Sequence, residues 1–266
     1  MDSAARRAFD GQTLDAGWQP WATGGGTVSI VDGALRLALQ EASAEVYADA
    51  QISDSRPGGR FPWQPPLRLS VRGRASGPAG TLHGTAGFGF WNDPFAPGRR
   101  RFPRLPRALW FFFCGVESRM ALALDQPSSG WKAATFDPVR PLFFGLLPLA
   151  LPGFLLMRLP VLHRALWPLG QRALGVAEAA LPGEWLAEPH DYTIDWFPRR
   201  VRFAVDGRTV LDTDRSPRGP LGFIAWIDNQ YAIVTPQGHF GWGLVGGGGQ
   251  WLELQNFSIE VIPAEE

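Results

Sequence analysis

The chain has 266 residues, with 25 basic and 25 acidic side chains and one cysteine. Zero net charge gives no broad attraction to nucleic acid, so we expect no nucleic-acid partner. One cysteine excludes an internal disulfide framework and a zinc site built from several cysteines. Glycine and proline make up 56 residues although 45% of the chain is hydrophobic, a mixture typical of many short strands joined by turns.

The first 140 residues predict β-strands and turns. Val28–Val31 and Ala34–Leu39 flank Asp32-Gly33, a pair that is favoured in two-residue hairpins because both positions tolerate positive φ. In the second strand every other residue is leucine, which indicates one buried face. The same criteria predict further strands at 67–71, 85–92 and 108–116, and a long loop rich in proline and arginine at 94–107.

The pattern changes between Arg140 and Pro182, and we interpret this range as an apolar, partly helical insertion. Residues 141–157 contain no charged side chain. They are fewer than the roughly twenty residues that a membrane-spanning helix needs, and prolines interrupt them. The apolar spacing over 168–180 predicts a helix that begins at Pro168. The insertion is expected to cover the protein's own sheet as a lid, to contact a bilayer through 141–169, or both.

After the insertion, strands are predicted again, and we take residues 1–266 as a single domain. Asp206-Gly207 predicts a second hairpin turn. The predicted strands lie at 192–196, 201–205, 208–211, 221–227 and 251–262. This spacing of short strands favours a sandwich of two sheets.

Three segments carry a resemblance to a known family. Residues 190–196 read HDYTIDW and residues 200–207 read RVRFAVDG, while 87–91 read GFGFW. Together these segments resemble the family-16 glycoside hydrolases, over about half of the chain. The resemblance implies an all-β fold, a concanavalin A-like jelly roll of two antiparallel sheets, with ligands bound on the concave sheet.

The strand that corresponds to the family's catalytic strand departs from it. The family's alternating carboxylates would act as nucleophile and acid, but residues 108–116 contain no carboxylate, and the first one to follow is Glu117. We therefore predict that glycosides are not hydrolysed by the family's mechanism. A fold of this kind can serve another ligand, because function belongs to the site and not to the fold.

Aromatic residues and a polar strand end indicate where a ligand binds. Period-two alternation places Ile224, Trp226 and Asp228 on one face of a strand, and Asn229, Gln230 and Tyr231 follow at its end, where ligand-contacting loops are common. Aromatic faces bind sugars by stacking and hydrocarbon or cationic groups by dispersion and cation–π attraction. The candidate ligand-binding residues are Trp91, Trp110, Phe112, His190, Trp226, Asn229, Gln230 and Tyr231.

Two functions remain open from the sequence. The first is a binding protein that holds an apolar or amphiphilic molecule, of lipid-, terpenoid- or glycolipid-like character, in an aromatic cleft. The second is a lyase, isomerase, cyclase or hydrolase in which Asp228 acts as acid or base with Asp93 or a histidine. A third, purely structural interpretation has the cleft filled by the protein's own side chains.

The expectations about cofactors and cellular location are based on motifs that the sequence does not contain. The four histidines are scattered and predict no metal site, and neither a phosphate-binding loop nor a nucleophile elbow is present. We expect no cofactor. Because Arg6 and Arg7 are followed by no apolar stretch, the sequence predicts a cytoplasmic protein, with peripheral membrane contact through 141–169 as a further hypothesis.

Overall fold

The computed structural model describes residues 6–14, 16–55, 61–93 and 104–264. Most of the predicted loop at 94–107 therefore lies outside the described residues. Three α-helices lie between the ninth and tenth strands: α1 (Pro141–Leu146), α2 (Ala150–Leu156) and α3 (Pro160–Leu174). The strands are β1 (Arg6–Ala8), β2 (Gln19–Thr23), β3 (Gly26–Val31), β4 (Ala34–Leu39), β5 (Asp49–Ser53), β6 (Leu67–Ala75), β7 (Thr85–Trp91), β8 (Ala108–Cys114), β9 (Gly130–Phe136), β10 (Ala177–Ala180), β11 (His190–Trp196), β12 (Val201–Val205), β13 (Arg208–Thr213), β14 (Gly222–Asp228), β15 (Gln230–Val234), β16 (Phe240–Leu244) and β17 (Gln250–Val261).

Two antiparallel sheets form the body of the protein. The first sheet has the order β13-β12-β11-β6-β17-β4-β3, with β1 also paired to β17. The second sheet has the order β10-β9-β8-β7-β14-β5-β2, and β15 and β16 form a separate hairpin. The prediction of an all-β sandwich of two antiparallel sheets with a partly helical insertion is confirmed.

Alternating side chains explain why the two sheets stack. Each strand of the second sheet turns one set of side chains toward the first sheet, and these sets are large and apolar: Phe88, Phe90, Phe111, Phe113 and Phe223 are all buried in the main core. The first sheet contributes Tyr192, Trp196 and Phe203 among others. Burial of such rings contributes most of the free energy that holds the layers together.

The predicted hairpins form where the sequence places them. Asp32 and Gly33 have φ values of 50° and 76°, and Asp206 and Gly207 have 48° and 74°. Positive φ at both central residues is the requirement of the turn that matches the twist of the flanking strands. Local turn chemistry therefore determines the register of these two strand pairs.

The helical segment differs from the prediction in its limits. The prediction of a helix over 168–180 is wrong, because α3 runs from Pro160 to Leu174 and Ala177–Ala180 is a strand. Gly175 ends the helix in the left-handed conformation, with φ of 60°, and the following residues pair with β9 at the edge of the sheet. The apolar spacing over 168–180 fits both a helix end and an edge strand. Residues 177–180 form a strand because β9 offers them a pairing partner.

Candidate ligand-binding face

The site lies on the outer face of the second sheet, the face turned away from the core. Cross-strand pairs show which side chains share this face, because residues directly opposite one another point to the same side. One row across the sheet reads Thr23, Asp49, Asp228, Thr85 and Cys114. The next row reads Trp21, Gln51, Trp226, Gly87, Phe112 and Lys132.

Four aromatic side chains occupy the middle of this face, and we name Trp91, Trp110, Phe112 and Trp226 the aromatic cluster. Trp110 is its centre, with ring centroids 5.1 Å from Trp226, 5.5 Å from Phe112 and 6.2 Å from Trp91. Phe112 and Trp226 are 7% exposed, while Trp91 and Trp110 are half-buried. The cluster thus has a packed base and two rings with exposed surface.

Two glycines make room for these rings. Gly87 and Gly89 lie on β7, between the strands that carry Trp226 and Trp110. A Cβ on Gly87 would come within 2.9 Å of the Trp226 ring, and one on Gly89 within 2.6 Å of Cα of Trp110. The absence of side chains on β7 lets aromatic rings from both neighbouring strands meet above it.

At one end of the face, two carboxyl groups lie on adjacent strands, and we name Asp49 and Asp228 the carboxyl pair. They are directly opposite in the β5–β14 ladder. In the same ladder, the pairs Ala48–Asn229 and Asp54–Phe223 are joined by backbone hydrogen bonds, from Asn229 N to Ala48 O and from Asp54 N to Phe223 O. Bonded and non-bonded pairs alternate along an antiparallel ladder. Asp49 and Asp228 therefore form a pair without hydrogen bonds between their backbones, the closer kind, with Cα atoms about 4.5 Å apart.

The two carboxyl groups are unequally supported. Oδ1 of Asp228 accepts hydrogen bonds from the backbone N–H and the hydroxyl of Thr85 and from the backbone N–H of Gln230. Asp49 is 3% exposed; burial raises its pKa, and the nearby Tyr47 hydroxyl lowers it in part. Its Oδ1 is buried and has no partner among the described residues.

Burial and mutual repulsion keep the carboxyl pair partly protonated. Burial raises the pKa of Asp228 to about 7. Burial, and then the nearby charge of Asp228, raise the pKa of Asp49 to about 8. Both shifts have the sign expected for carboxylates that are removed from water beside a like charge.

The carboxyl pair is connected to the aromatic cluster. The indole N–H of Trp226 donates to the hydroxyl of Thr85 at 2.9 Å, and that hydroxyl donates to Asp228 at 2.8 Å. Trp226 and Asp228 are two residues apart on one strand face, about 7 Å along the sheet. A molecule that touches the rings is therefore within reach of the carboxyl groups.

The structure separates Asp93 from Asp228, so the predicted acid–base pairing of these two residues is wrong. Asp228 is opposite Thr85, at the start of β7, whereas Asp93 follows Trp91, at the end of the same strand. Six residues of extended chain separate Thr85 from Trp91 by about 20 Å. Among the described residues, the carboxyl group directly opposite Asp228 on this face is that of Asp49.

Two other predicted ligand-binding residues have structural roles. His190 belongs to β11 of the first sheet, where its Nδ1 is 2.6 Å from Asp206, so its placement in the aromatic cleft was wrong. Asn229 is buried, and its side chain accepts from Ala48 N and donates to Ser43 O, Val46 O and Val245 O. The amide of Asn229 anchors the chain before β5 and after β16 rather than facing a ligand.

Gln230 and Tyr231 begin β15, beside the carboxyl pair. Both are half-buried, and the backbone of Gln230 contacts Asp228. The Tyr231 ring lies against Gly243 of the partner strand, where a Cβ would be 2.6 Å away. Their part in ligand binding stays a prediction.

The other side of the face is covered by the chain itself. Lys132 of β9 is 1% exposed; its Nζ donates to Met120 O and lies 3.8 Å from Glu178. The loop 118–126 passes over these groups. Met120 of this loop packs against the aromatic cluster, and Leu122 O accepts the indole N–H of Trp167 from α3. This loop connects the helical segment to the cluster.

The helical segment leaves most of its apolar side chains in solvent. Of the residues in α1, α2 and α3, only Trp167 and Ala173 are buried. Phe154 of α2 contacts Phe240 of β16, with centroids 5.7 Å apart, which joins the helices to the hairpin. We name the exposed set the apolar surface: Phe144, Leu147, Leu149, Leu151, Leu155, Leu156, Leu159, Val161, Leu166, Leu169, Phe240 and Trp242.

The segment is also unable to cross a bilayer as a helix. Across the described ranges, no helix is both long enough and apolar enough for that. The three helices have 6, 7 and 15 residues, and prolines separate them. α3 reaches the loop 118–126 through Trp167, whereas α1 and α2 bury no side chain, and the lid stays a prediction.

Sequence reasoning missed Asp49, Tyr47 and the buried Lys132–Glu178 pair. A signal for Asp49 exists: Asp49, Gln51 and Ser53 alternate with the buried Ala48, Ala50 and Ile52, which is the period of a half-buried strand. The signal is weak because alanine has little preference for strands.

Comparison with solved structures gives the fold a name. The chain is similar to a β-glucanase of Bacillus licheniformis, with a TM-score of 0.52, 11% identity, and coverage of 99% of this chain and 100% of the other. It is also similar to a lichenase derived from a mouse hindgut metagenome, with a TM-score of 0.51, 14% identity, and coverage of 98% and 100%.

A third similar structure is the exoplasmic/lumenal domain of VIP36 in a form bound to Ca2+ and Man3GlcNAc. Its TM-score is 0.53 at 11% identity, with coverage of 97% of this chain and 90% of the other. No protein-family model matches the chain, and a search of curated proteins finds no match either. At this identity the likeness establishes the fold, a concanavalin A-like jelly roll, and leaves the ligand to the site itself.

Proposed function

We propose that this protein binds an amphiphilic ligand on the aromatic cluster and takes it up from a lipid bilayer on which the apolar surface rests. The observation that carries the proposal is the exposure of twelve large apolar side chains on the helical segment and the adjoining hairpin. Leu151 and Val161 are 77% and 79% exposed, and Trp242 is 76% exposed. So many exposed large apolar side chains on one segment and its adjoining hairpin indicate an interaction site.

Charge favours a bilayer as the partner of this surface. Residues 141–174 contain three arginines, at 158, 164 and 172, and no acidic residue. Short helices with apolar side chains and flanking arginines lie in the plane of a membrane interface, with the arginines among the head groups. A tryptophan and a phenylalanine at the hairpin suit the same depth.

The apolar contribution to membrane binding exceeds the electrostatic one. Partial burial of twelve side chains, at roughly 1 kcal/mol each, gives about 10 kcal/mol before the cost of immobilisation. Three arginines near an anionic surface add about 1 kcal/mol each. We therefore expect binding to neutral vesicles as well as to anionic ones, with a modest dependence on salt.

The aromatic cluster is the proposed ligand site because it lies next to this surface. Met120 contacts the cluster, and the same loop holds Trp167 of α3 at Leu122. An amphiphile would place its apolar part on the exposed sides of Trp91 and Trp110. Its polar part would reach the carboxyl pair, where the hydrogen-bonding groups of this face are concentrated.

Vesicle flotation tests the proposal. The intact protein should float with phosphatidylcholine vesicles at low and at high salt. The double variant Leu151→Gln/Val161→Gln should float at least tenfold less, because it introduces polar groups into the buried layer. The matched control Ile30→Gln/Val261→Gln alters two exposed apolar residues on the first sheet and should behave as the intact protein does.

A second measurement concerns the ligand. Lipid extracted from the purified protein should contain an amphiphile in near-stoichiometric amount, and Trp110→Ala should reduce it several-fold. Flotation that requires anionic lipid and is abolished by salt would contradict the apolar docking mode. Extracts without any amphiphile, from protein purified without detergent, would contradict the ligand site.

A further inference from the structure

We infer that the carboxyl pair binds a cationic nitrogen, so that the ligand is an amphiphile with an ammonium head group. This inference rests on the proposed function, because the aromatic cluster is taken to hold the apolar part. It deepens that function by naming the chemical class of the head group.

When the carboxyl pair is ionised, no cation lies beside it among the described residues. Among the described side chains that act on the pKa values of Asp49 and Asp228, none is basic. Lys132, on the same face, lies three strands away, about 14 Å, and is engaged with Met120 O and Glu178. Buried carboxylates are normally paired with a positive group.

Hydrogen bonding at Asp49 is incomplete. The neutral phenol of Tyr47 lies nearby, but Oδ1 of Asp49 is buried without a donor among the described residues. A buried acceptor in this condition costs about 1–3 kcal/mol of stability. An ammonium group has several N–H donors and a full charge, so it can satisfy Oδ1 and interact with Asp228 at the same time.

The surroundings of the pair suit an organic cation. Trp226 lies two residues from Asp228 on the same strand face, and the remaining rings of the aromatic cluster continue from it. Aromatic faces attract ammonium groups by the cation–π interaction, and tryptophan does so most strongly. Tyr47 is 37% exposed, so part of this residue beside the pair is accessible to a ligand.

Other titratable and charged groups near the pair belong to the elements packed around it. β2 contributes Thr23 and β5 contributes Gln51, neither of which titrates. His83, just before β7, is paired with Glu117 at 2.9 Å. The remaining neighbours are Tyr47, Thr85, Cys114, Gln230, Tyr231 and Arg119, whose backbone bonds β15.

Calorimetric titration with short-chain amphiphiles below their micelle concentrations tests the inference. The probes are octylammonium, octyltrimethylammonium, octyl glucoside and octanoate, which share a chain and differ in head group. At about pH 8.5 the two cations should bind at least tenfold more tightly than octyl glucoside, and octanoate should bind most weakly. At about pH 5.5 the preference for the cations should shrink severalfold, because the pair is then mostly protonated.

Variants separate this site from the rest of the ligand face. Asp49→Asn should abolish the preference for cations over octyl glucoside, whereas Asp214→Asn, at an exposed carboxylate, should leave that preference unchanged. Equal binding of cationic and neutral probes to the intact protein would overturn the inference while the proposed function stands. Failure of every probe to bind would overturn the proposed function itself. Tight binding of CaCl2 alone, lost in Asp49→Asn, would also overturn the organic-cation assignment.

Discussion

At the scale of single residues, the carboxyl pair shows how a β-ladder can raise the pKa values of two aspartates. Two ordinary aspartates become coupled because the ladder places them opposite each other and because both are nearly excluded from water. Hydrogen bonds from Thr85 and Gln230 support the charge of Asp228, whereas Oδ1 of Asp49 has no hydrogen-bond partner among the described residues. The less supported group carries the higher pKa.

The raised pKa values predict how stability depends on pH. The pKa of Asp49 rises from 3.8 to about 8 on folding, and that of Asp228 from 3.8 to about 7. Between pH values of about 4 and about 8, Asp49 and Asp228 hold more protons in the folded protein than in the unfolded chain. Their contribution to the free energy of unfolding therefore decreases as the pH rises through this range. Urea unfolding at several pH values measures this decrease.

Asp49→Asn removes the more strongly shifted group. Its free energy of unfolding should exceed that of the intact protein at about pH 8.5, by on the order of 1–3 kcal/mol. The difference should shrink as the pH falls and vanish below about pH 3, where Asp49 is neutral in both states. Asp214→Asn serves as the exposed control. A variant that is less stable than the intact protein at high pH would show that the Asp49 carboxylate stabilises the fold.

At the scale of secondary-structure elements, β7 and its neighbours form the base of the site. β7 presents phenylalanines to the core and glycines to the outer face, and this alternation sets the depth at which the aromatic rings pack. β8 presents Trp110, Phe112 and Cys114 on that face. The middle of the face is thus aromatic, with rings from β7, β8 and β14, and the carboxyl pair lies at the end where β5 meets β14.

Gly89→Ala tests the role of β7. Gly89 has a φ of 154°, and its Cβ would contact Leu109 O and lie 2.6 Å from Cα of Trp110. We expect a loss of about 2 kcal/mol in the free energy of unfolding and a changed tryptophan emission spectrum, because Trp110 must move. Gly248→Ala, where no atom lies within 4 Å of the added Cβ, should change stability by less than about 0.5 kcal/mol. Equal effects of the two would refute the packing role of Gly89.

At the scale of the whole molecule, the sandwich and the helical segment are energetically separate. The core is built from both sheets, whereas α1 and α2 contain no buried residue. α3 is attached through Trp167 and through Ala173 near its end. A segment so weakly attached contributes little to folding, and its apolar side chains are available for a partner.

Replacement of residues 142–159 by a short Gly/Ser linker tests this separation. The linker keeps α3 with its buried Trp167 and removes most of the apolar surface. We expect the free energy of unfolding to change by less than about 1 kcal/mol, because no buried side chain is lost, and flotation with neutral vesicles to decrease strongly. A large loss of stability on replacement would show that the segment is part of the core after all.

The sequence by itself determined the local features of this protein. Alternation and the turn pairs Asp32-Gly33 and Asp206-Gly207 predicted the hairpins, and the resemblance predicted the jelly roll. The uncharged run at 141–157 predicted an apolar segment that must be shielded from water. This prediction needs only the local composition and no knowledge of where the strands lie. The proximity of Trp110, Phe112 and Trp226 was also within reach of the sequence, since they occupy alternate positions of strands that the resemblance makes neighbours.

Only the tertiary structure decided which side chains are neighbours on the ligand-binding face. Asp49 and Asp228 are 179 residues apart in the chain and meet because β5 and β14 are adjacent in the sheet. Asp93 is at the far end of β7, and His190 is in the other sheet, although both looked suitable in the sequence. The physical reason is that alternation fixes the face of a side chain locally, whereas its neighbours on that face depend on strand order and register, which are set by packing of the whole sandwich.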